Sequence, residues 1–123
     1  MKLVETYQDI LLEYADRNKI MGAINNKNVC RIYYEGDTTN IKGLRVIEPV
    51  CFGLSKRNNP VIRAWQRLGV SDTPDNIPGW RLFRLDRIKT FVTLDERFNE
   101  MRTNFNQNGD KDMIKIYSLA SFN

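Results

Sequence analysis

The feature that most restricts this chain is a change of pattern near residue 28: apolar residues recur at helical spacing before it and alternate in short runs after it. In 29–34, Cys30, Ile32 and Tyr34 alternate with Val29, Arg31 and Tyr33, a period of two that places the two sets on opposite faces of a strand. Residues 35–40 then read as a turn, and 44–48 as a second strand. Pro49 has no N–H to give, so it forces an edge or a bend, with 50–54 continuing past it. Residues 55–60 form a polar hairpin loop and 61–65 the strand that leaves it; a Gly/Ser/Asp/Pro-rich connection over 69–79 leads into a strand at 80–85. Residues 88–92 are another short strand, Leu94, Phe98 and Met101 have the spacing of a short helix, and 113–117 form a closing strand. Short strands joined by tight turns pair antiparallel and bury one face. The expected fold is therefore mainly β (α+β), a small, strongly bent antiparallel sheet or barrel under a helical cap.

The cap comes first in the chain. Leu3, Tyr7, Ile10, Leu11 and Tyr14 lie on one face of an amphipathic helix, Asp16-Arg17-Asn18 interrupts it, and 20–24 resume as a second short helix. Residues 25–28 end the helical region. No repeat or linker divides the 123 residues, so a single domain over 1–123 is expected, with a helical cap at 1–27, the strand-rich body at 28–98 and a C-terminal extension at 99–123. A chain of this size buries roughly two-thirds of its unfolded surface, enough for a core without disulfides or metals.

Composition narrows the chemistry. The chain has no His, which removes every mechanism that needs imidazole and every His-ligated zinc. Its two cysteines, Cys30 and Cys51, are too few for a thiolate metal site and sit in apolar strands, so buried reduced thiols are expected. Neither a pair of catalytic acids nor a Gly-rich phosphate loop stands out, and the expectation is a protein that is not an enzyme, with no cofactor. Residues 104–112 place oxygen-bearing side chains at alternate positions and a Gly sixth, as a calcium loop does. Position 12 is Lys115 rather than Glu, however, and a tight Asn-Gly turn is the better account, with no metal. No apolar run approaches the roughly 18 residues of a membrane span, and the N-terminus turns acidic too early for a signal peptide. A soluble, cytoplasmic protein with no membrane partner is expected.

The net charge of +4 conceals an asymmetry. Between Lys42 and Lys89 ten bases face four acids, whereas the remainder of the chain is slightly acidic. Arginine dominates that central segment, and its planar fork suits phosphate, carboxylate and base stacking. Arg45, Arg63, Arg81, Arg84 and Arg87 are candidate phosphate ligands, with Trp65, Trp80, Tyr33 or Phe52 as stacking platforms. The competing reading pairs Arg84 or Arg87 with Asp86 or Glu48 in a structural network. Ser55 and Lys56, in the loop 55–59, either clamp a phosphate backbone or form a solvated turn.

The run Trp80-Arg81-Leu82-Phe83-Arg84-Leu85-Asp86-Arg87-Ile88 resembles the closing signature of the WYL domain. Cys30-Arg31-Ile32-Tyr33-Tyr34 and Arg45-Val46-Ile47-Glu48-Pro49 resemble its first and second strands, and Val61-Ile62-Arg63-Ala64-Trp65 takes the place of the strand that names the family. There Pro60-Val61-Ile62 stands where Trp-Tyr-Leu would be. The whole chain is also similar to short stand-alone proteins of bacteria and their phages, in which three segments recur, here at Ser55 to Ala64, Gly79 to Arg84 and Asn106 to Met113.

This resemblance implies an Sm/SH3-like barrel that serves as a sensor module and binds single-stranded DNA or RNA, or a nucleotide-type ligand, through a basic pocket. With the residue reading above, the expected site comprises Arg45, Ser55, Lys56, Arg63, Trp65, Trp80, Arg81, Arg84 and Arg87, the resemblance implying that the pocket is built partly from the arginines. About 28 residues precede the first strand, too few for a helix-turn-helix domain, so ligand sensing or sequestration is expected rather than duplex reading. The alternatives are a phage factor that binds a host protein, with the N-terminal helix as docking element or homodimer seam, and a phage sponge for a cyclic-nucleotide signal. If phage-encoded, the protein would act in the bacterial host cytoplasm.

Overall fold

The structure is a computed structural model that describes residues 15–35, 42–71 and 73–122. The amphipathic helix expected over 3–14 and the turn expected at 36–40 lie outside the described residues. Helix α1 (Arg17–Asn26) begins where Asp16 adopts an extended conformation and its carboxylate accepts the Lys19 N–H at 2.8 Å, satisfying an otherwise orphaned donor. It ends at Lys27, whose left-handed conformation (φ 54°) turns its N–H back to the carbonyls of Ala23 and Ile24. Ile20, Ala23 and Ile24 form its buried stripe, and the helix packs mainly against β2 and β6 of the sheet.

Six strands follow: β1 (Asn28–Glu35), β2 (Lys42–Ser55), β3 (Pro60–Gly69), β4 (Gly79–Arg84), β5 (Ile88–Arg97) and β6 (Met113–Leu119). They form one antiparallel sheet in the order β4-β3-β2-β1-β5, with β6 also paired to β2. The spine is β2. Along one edge it pairs β3 from Arg45↔Gly69 to Leu54↔Pro60. Along the other it pairs β1 up to Ile47, then β6 from Cys51 onward. Pro49 lies between these two partners, and the ladder to β3 shifts register between Pro49 and Cys51. The bend expected at this proline is where the second edge changes hands. The strand does not break.

The sheet curls until its outermost strands, β4 and β5, are joined by a single 3-10 turn, Leu85–Arg87. At that seam the Arg84 N–H donates to the Tyr34 hydroxyl at 3.1 Å, and the Tyr34 ring meets Phe83 edge-on at 4.9 Å. No β4–β5 ladder forms among the described residues, so the expected strongly bent sheet or barrel is realised as a barrel-like sheet that is not closed. The concave face buries Ile32, Ile47, Phe52, Ile62, Phe83 and Phe91, together with Ile20 and Ile24 of α1. Both cysteines are buried and free, and burial pushes each thiol up to about 12, leaving it protonated and unreactive at neutral pH. No helix among the described residues is long and apolar enough to cross a membrane.

One element departs from the sequence expectation. The short helix expected from Leu94, Phe98 and Met101 is absent; β5 runs on through Leu94 to Arg97, which pairs with Asn28. The Phe98 N–H donates to the Lys27 carbonyl at 2.8 Å, and its ring is buried. A ladder along the whole of β1, and the β-branched Thr90, Val92 and Thr93, outweigh three apolar residues at helical spacing. After Phe98 the chain forms an arm of turns over 99–112 before β6 rejoins the sheet.

Two glycines test this packing. A Cβ on Gly53 would lie 2.1 Å from the Lys115 carbonyl oxygen and 2.7 Å from Met113 Sδ, so β6 docks only against a bare backbone. Gly22, in α1, has nothing within 4 Å of the corresponding point. Urea denaturation should show Gly53→Ala losing about 1–3 kcal/mol and Gly22→Ala gaining about 0.5–1 kcal/mol. Equal effects of the two would contradict the docking of β6.

Candidate functional site

Strand alternation divides β3 cleanly. Ile62, Ala64 and Gln66 point into the core, and Arg63, Trp65 and Arg67 point to the convex face. Cross-strand register places Leu82 beside Arg63 and Trp80 beside Trp65 on that face, with Cys51 and Glu48 opposite them from β2. The arm lies across this convex surface. Trp80 Nε1 donates to the Thr103 carbonyl at 2.8 Å, and the Trp80 ring stacks with Phe105 at 6.4 Å between centroids while meeting Trp65 edge-on at 5.3 Å.

Two ionic knots fix the arm. In the first, the Glu48 carboxylate, with a side chain only 1% exposed, accepts Arg67 Nε at 2.6 Å and Arg102 Nε and Nη2 at 3.1 and 2.8 Å. Arg67 reaches on to Glu96 and Arg102 to Glu100, and the Arg102 guanidinium covers the Trp65 ring at 5.3 Å. In the second, Arg63 grips Asp110 with two bonds, Nε–Oδ2 at 2.7 Å and Nη2–Oδ1 at 3.2 Å, and reaches Asp112 Oδ2 from Nη2 at 2.6 Å. Burial alone would raise the Asp110 carboxyl, but hydrogen bonds from Arg63 and from the Asp112 N–H, with the Arg63 charge, hold it below 3.8. Between sheet and arm opens a cleft of about 380 Å³, lined by Arg63, Trp80, Asn104, Phe105, Asn106 and the 110–112 segment.

The residues expected to form the site do not form one patch. Arg63 and Trp80 line the cleft, and Trp65 lies behind Trp80. Arg45 is in the core, its guanidinium over Tyr34 at 4.9 Å and Phe83 at 5.5 Å, donating to Gln66 Oε1 at 3.3 Å. Arg81 donates to Ser71 Oγ and to the carbonyl and hydroxyl of Thr73, pinning the β3–β4 connection. Arg84 chelates Asp86 through Nε and Nη2, the structural pairing weighed against a ligand role, and Arg87 belongs to the 3-10 turn. Ser55 Oγ accepts the Asn59 N–H and closes the hairpin, with Lys56 exposed at its tip.

Sequence reasoning missed Arg102, Asn104, Phe105, Asp110 and Asp112 as site residues. A signal for part of that set existed. The three segments that the sequence resemblance singles out contribute Arg63, Trp80 and Asp110, and these three meet at the cleft. Within the third segment Asn106 Oδ1 accepts the Asn108 N–H, and Gly109 takes φ 141°, the Asn-Gly turn expected there. Its Asp110 oxygens are engaged by Arg63. The cations Lys56, Arg57, Lys111 and Lys115 form no ion pair among the described residues.

Among solved structures, the chain is similar to Proteasome accessory factor B/C (PafBC) of Arthrobacter aurescens, with 22% identity and a TM-score of 0.58 over 74% of this chain. The match covers 13% of that protein. At this identity the likeness is one of fold alone. No protein-family model and no curated protein matches the chain.

The second knot has a pH signature. Because the Asp110 carboxyl is held below 3.8 in the fold, its contribution is complete above that value and disappears as pH falls through the folded value. Urea titrations from neutral pH to pH 2 should therefore show an acid limb that Asp110→Asn lacks, the variant being less stable at neutrality and converging on the parent in acid. Parallel curves would contradict the assignment.

Proposed function

We propose that the chain is a non-enzymatic, regulatory ligand-binding module, and that its ligand is a nucleotide, free or as one unit of a single strand, seated in the cleft under the arm. One observation carries this reading: Arg63, Trp80 and Asp110, far apart in sequence, converge on one concavity whose lining has nucleotide-like chemistry. Its volume of about 380 Å³ lies within the range of small-molecule sites. Trp80 and Phe105 supply π-surfaces, and the Asn104 and Asn106 amides supply both donors and acceptors for a base edge. The resemblance to WYL domains and the fold likeness to PafBC support a sensor role.

The groups nearest the cleft argue for holding rather than cutting. Asp110 is fixed as an anion by Arg63 and is poorly suited to donate a proton. The Cys51 thiol, raised to about 12 by burial, is no nucleophile at neutral pH. A strand leaving the cleft finds its next cations at Lys111, at Lys56 and Arg57 in the adjacent hairpin tip, and at Lys115, since β6 pairs Met113 with Ser55. The set is short, so few phosphates are engaged.

Tryptophan fluorescence should change on titration with nucleoside 5′-monophosphates and with a short single-stranded oligonucleotide. Trp80→Leu should weaken binding by roughly 5- to 150-fold, the equivalent of one stacked base. For the oligonucleotide, log affinity should fall with log salt at a slope of about −0.7 per phosphate, totalling no more than a few phosphates. Absence of binding by every nucleotide and oligonucleotide at low salt would overturn the reading.

A further inference from the structure

The two aspartates on Arg63 are not equivalent. Asp110 is bound by both Nε and Nη2, its side chain is 7% exposed, and its Oδ1 also accepts the Asp112 N–H at 2.9 Å. Asp112 makes one bond, to Nη2, and its side chain is 44% exposed at the rim of the cleft. Arg63 Nη1 has no protein partner among the described residues. The guanidinium of Arg63, a lining residue of the cleft, therefore has one edge locked into the protein and a second edge, Nη1 with Nη2, met only by a single exposed carboxylate. An arginine edge of this kind accepts two oxygens of a phosphate in parallel.

We infer that the Nη1/Nη2 edge of Arg63 is the phosphate subsite of the cleft, and that Asp112 occupies it as an internal anion which the ligand's phosphate displaces. The inference rests on the reading of the cleft as a nucleotide site and deepens it. Asp110 acts as a positioning residue. Its bidentate bond holds the guanidinium plane still, so exchange at the other edge does not release the arm. Asp112 acts as a gate. A partly exposed ion pair contributes little, so a phosphate with two charge-assisted bonds outcompetes it. A neutral or monodentate anion does not. Lys111, between the two aspartates and lining the same cleft, adds a second positive charge to the incoming phosphate. The free chain is thus self-masked, and the site discriminates a nucleotide from its nucleoside.

The experiment measures, by tryptophan fluorescence, the affinities of the intact chain for each of the four nucleosides and for its 5′-monophosphate. Asp112→Asn should tighten monophosphate binding by about fivefold or more and leave nucleoside binding unchanged, since only the repulsion and competition at Arg63 are removed. Glu100→Gln makes the same change of charge on the arm at a side chain that is 77% exposed and bonds Arg102, and should leave both affinities unchanged. Inorganic phosphate should compete with the monophosphate better against Asp112→Asn than against the parent. Unaltered urea midpoints for both variants establish that the fold is kept, and Arg63→Lys, which cannot hold Asp110 and a phosphate on two edges, should abolish the preference for monophosphate. Nucleoside binding that persists while Asp112→Asn gains no monophosphate preference, or gains no more than Glu100→Gln, overturns the gate alone. Failure of nucleosides and monophosphates alike overturns the nucleotide reading and the gate with it.

Discussion

The convex face depends on one carboxylate. Glu48 is buried at the centre of β2, and a buried charge of this kind is tolerated only when every lone pair is met. Its two partners come from different parts of the chain, Arg67 from β3 and Arg102 from the arm. One group thereby fixes the side-chain alignment of β2 with β3 and the point at which the arm crosses them. With Arg102 placed over Trp65, Thr103 is within reach of the Trp80 indole N–H and Phe105 lies against the Trp80 ring. Once the arm is held there, Asp110 arrives at Arg63. The cleft is the gap left between these two ionic anchors.

Much of the frame can be read directly from local pattern. Alternation in 29–34 and 61–65 marks β1 and β3, and Pro49 marks the place where β2 exchanges one neighbour for another. These signals are local, because a strand's facing pattern and a proline's missing N–H act within a few residues. The misassigned helix at 94–101 fails for the complementary reason. Three apolar residues at helical spacing describe a local preference, whereas the backbone partners that decide the matter belong to β1, some sixty residues earlier.

The site is harder to read for the same reason. Nothing within the central basic segment shows that Arg63 is held by carboxylates 47 and 49 residues away, or that Arg45 spends its charge over two core aromatic rings. Counting bases in that segment therefore overstates the charge presented to a ligand. Arg84 and Asp86, two residues apart, are the exception, a pairing visible from spacing. The C-terminal extension is where the missing half of the site resides, and its Asn-Gly turn supplies Asp110 to an arginine.

The account stands on the placement of the ligand under the arm. Hydrogen exchange of the intact chain, with and without a saturating nucleoside 5′-monophosphate, tests this most directly. The account predicts slowed exchange in 103–112 and in β3 and β4 around Arg63 and Trp80, with β1 and β5 unchanged. Protection confined to β1, β5 or the hairpin tip at 56–58, or no protection anywhere, would contradict it.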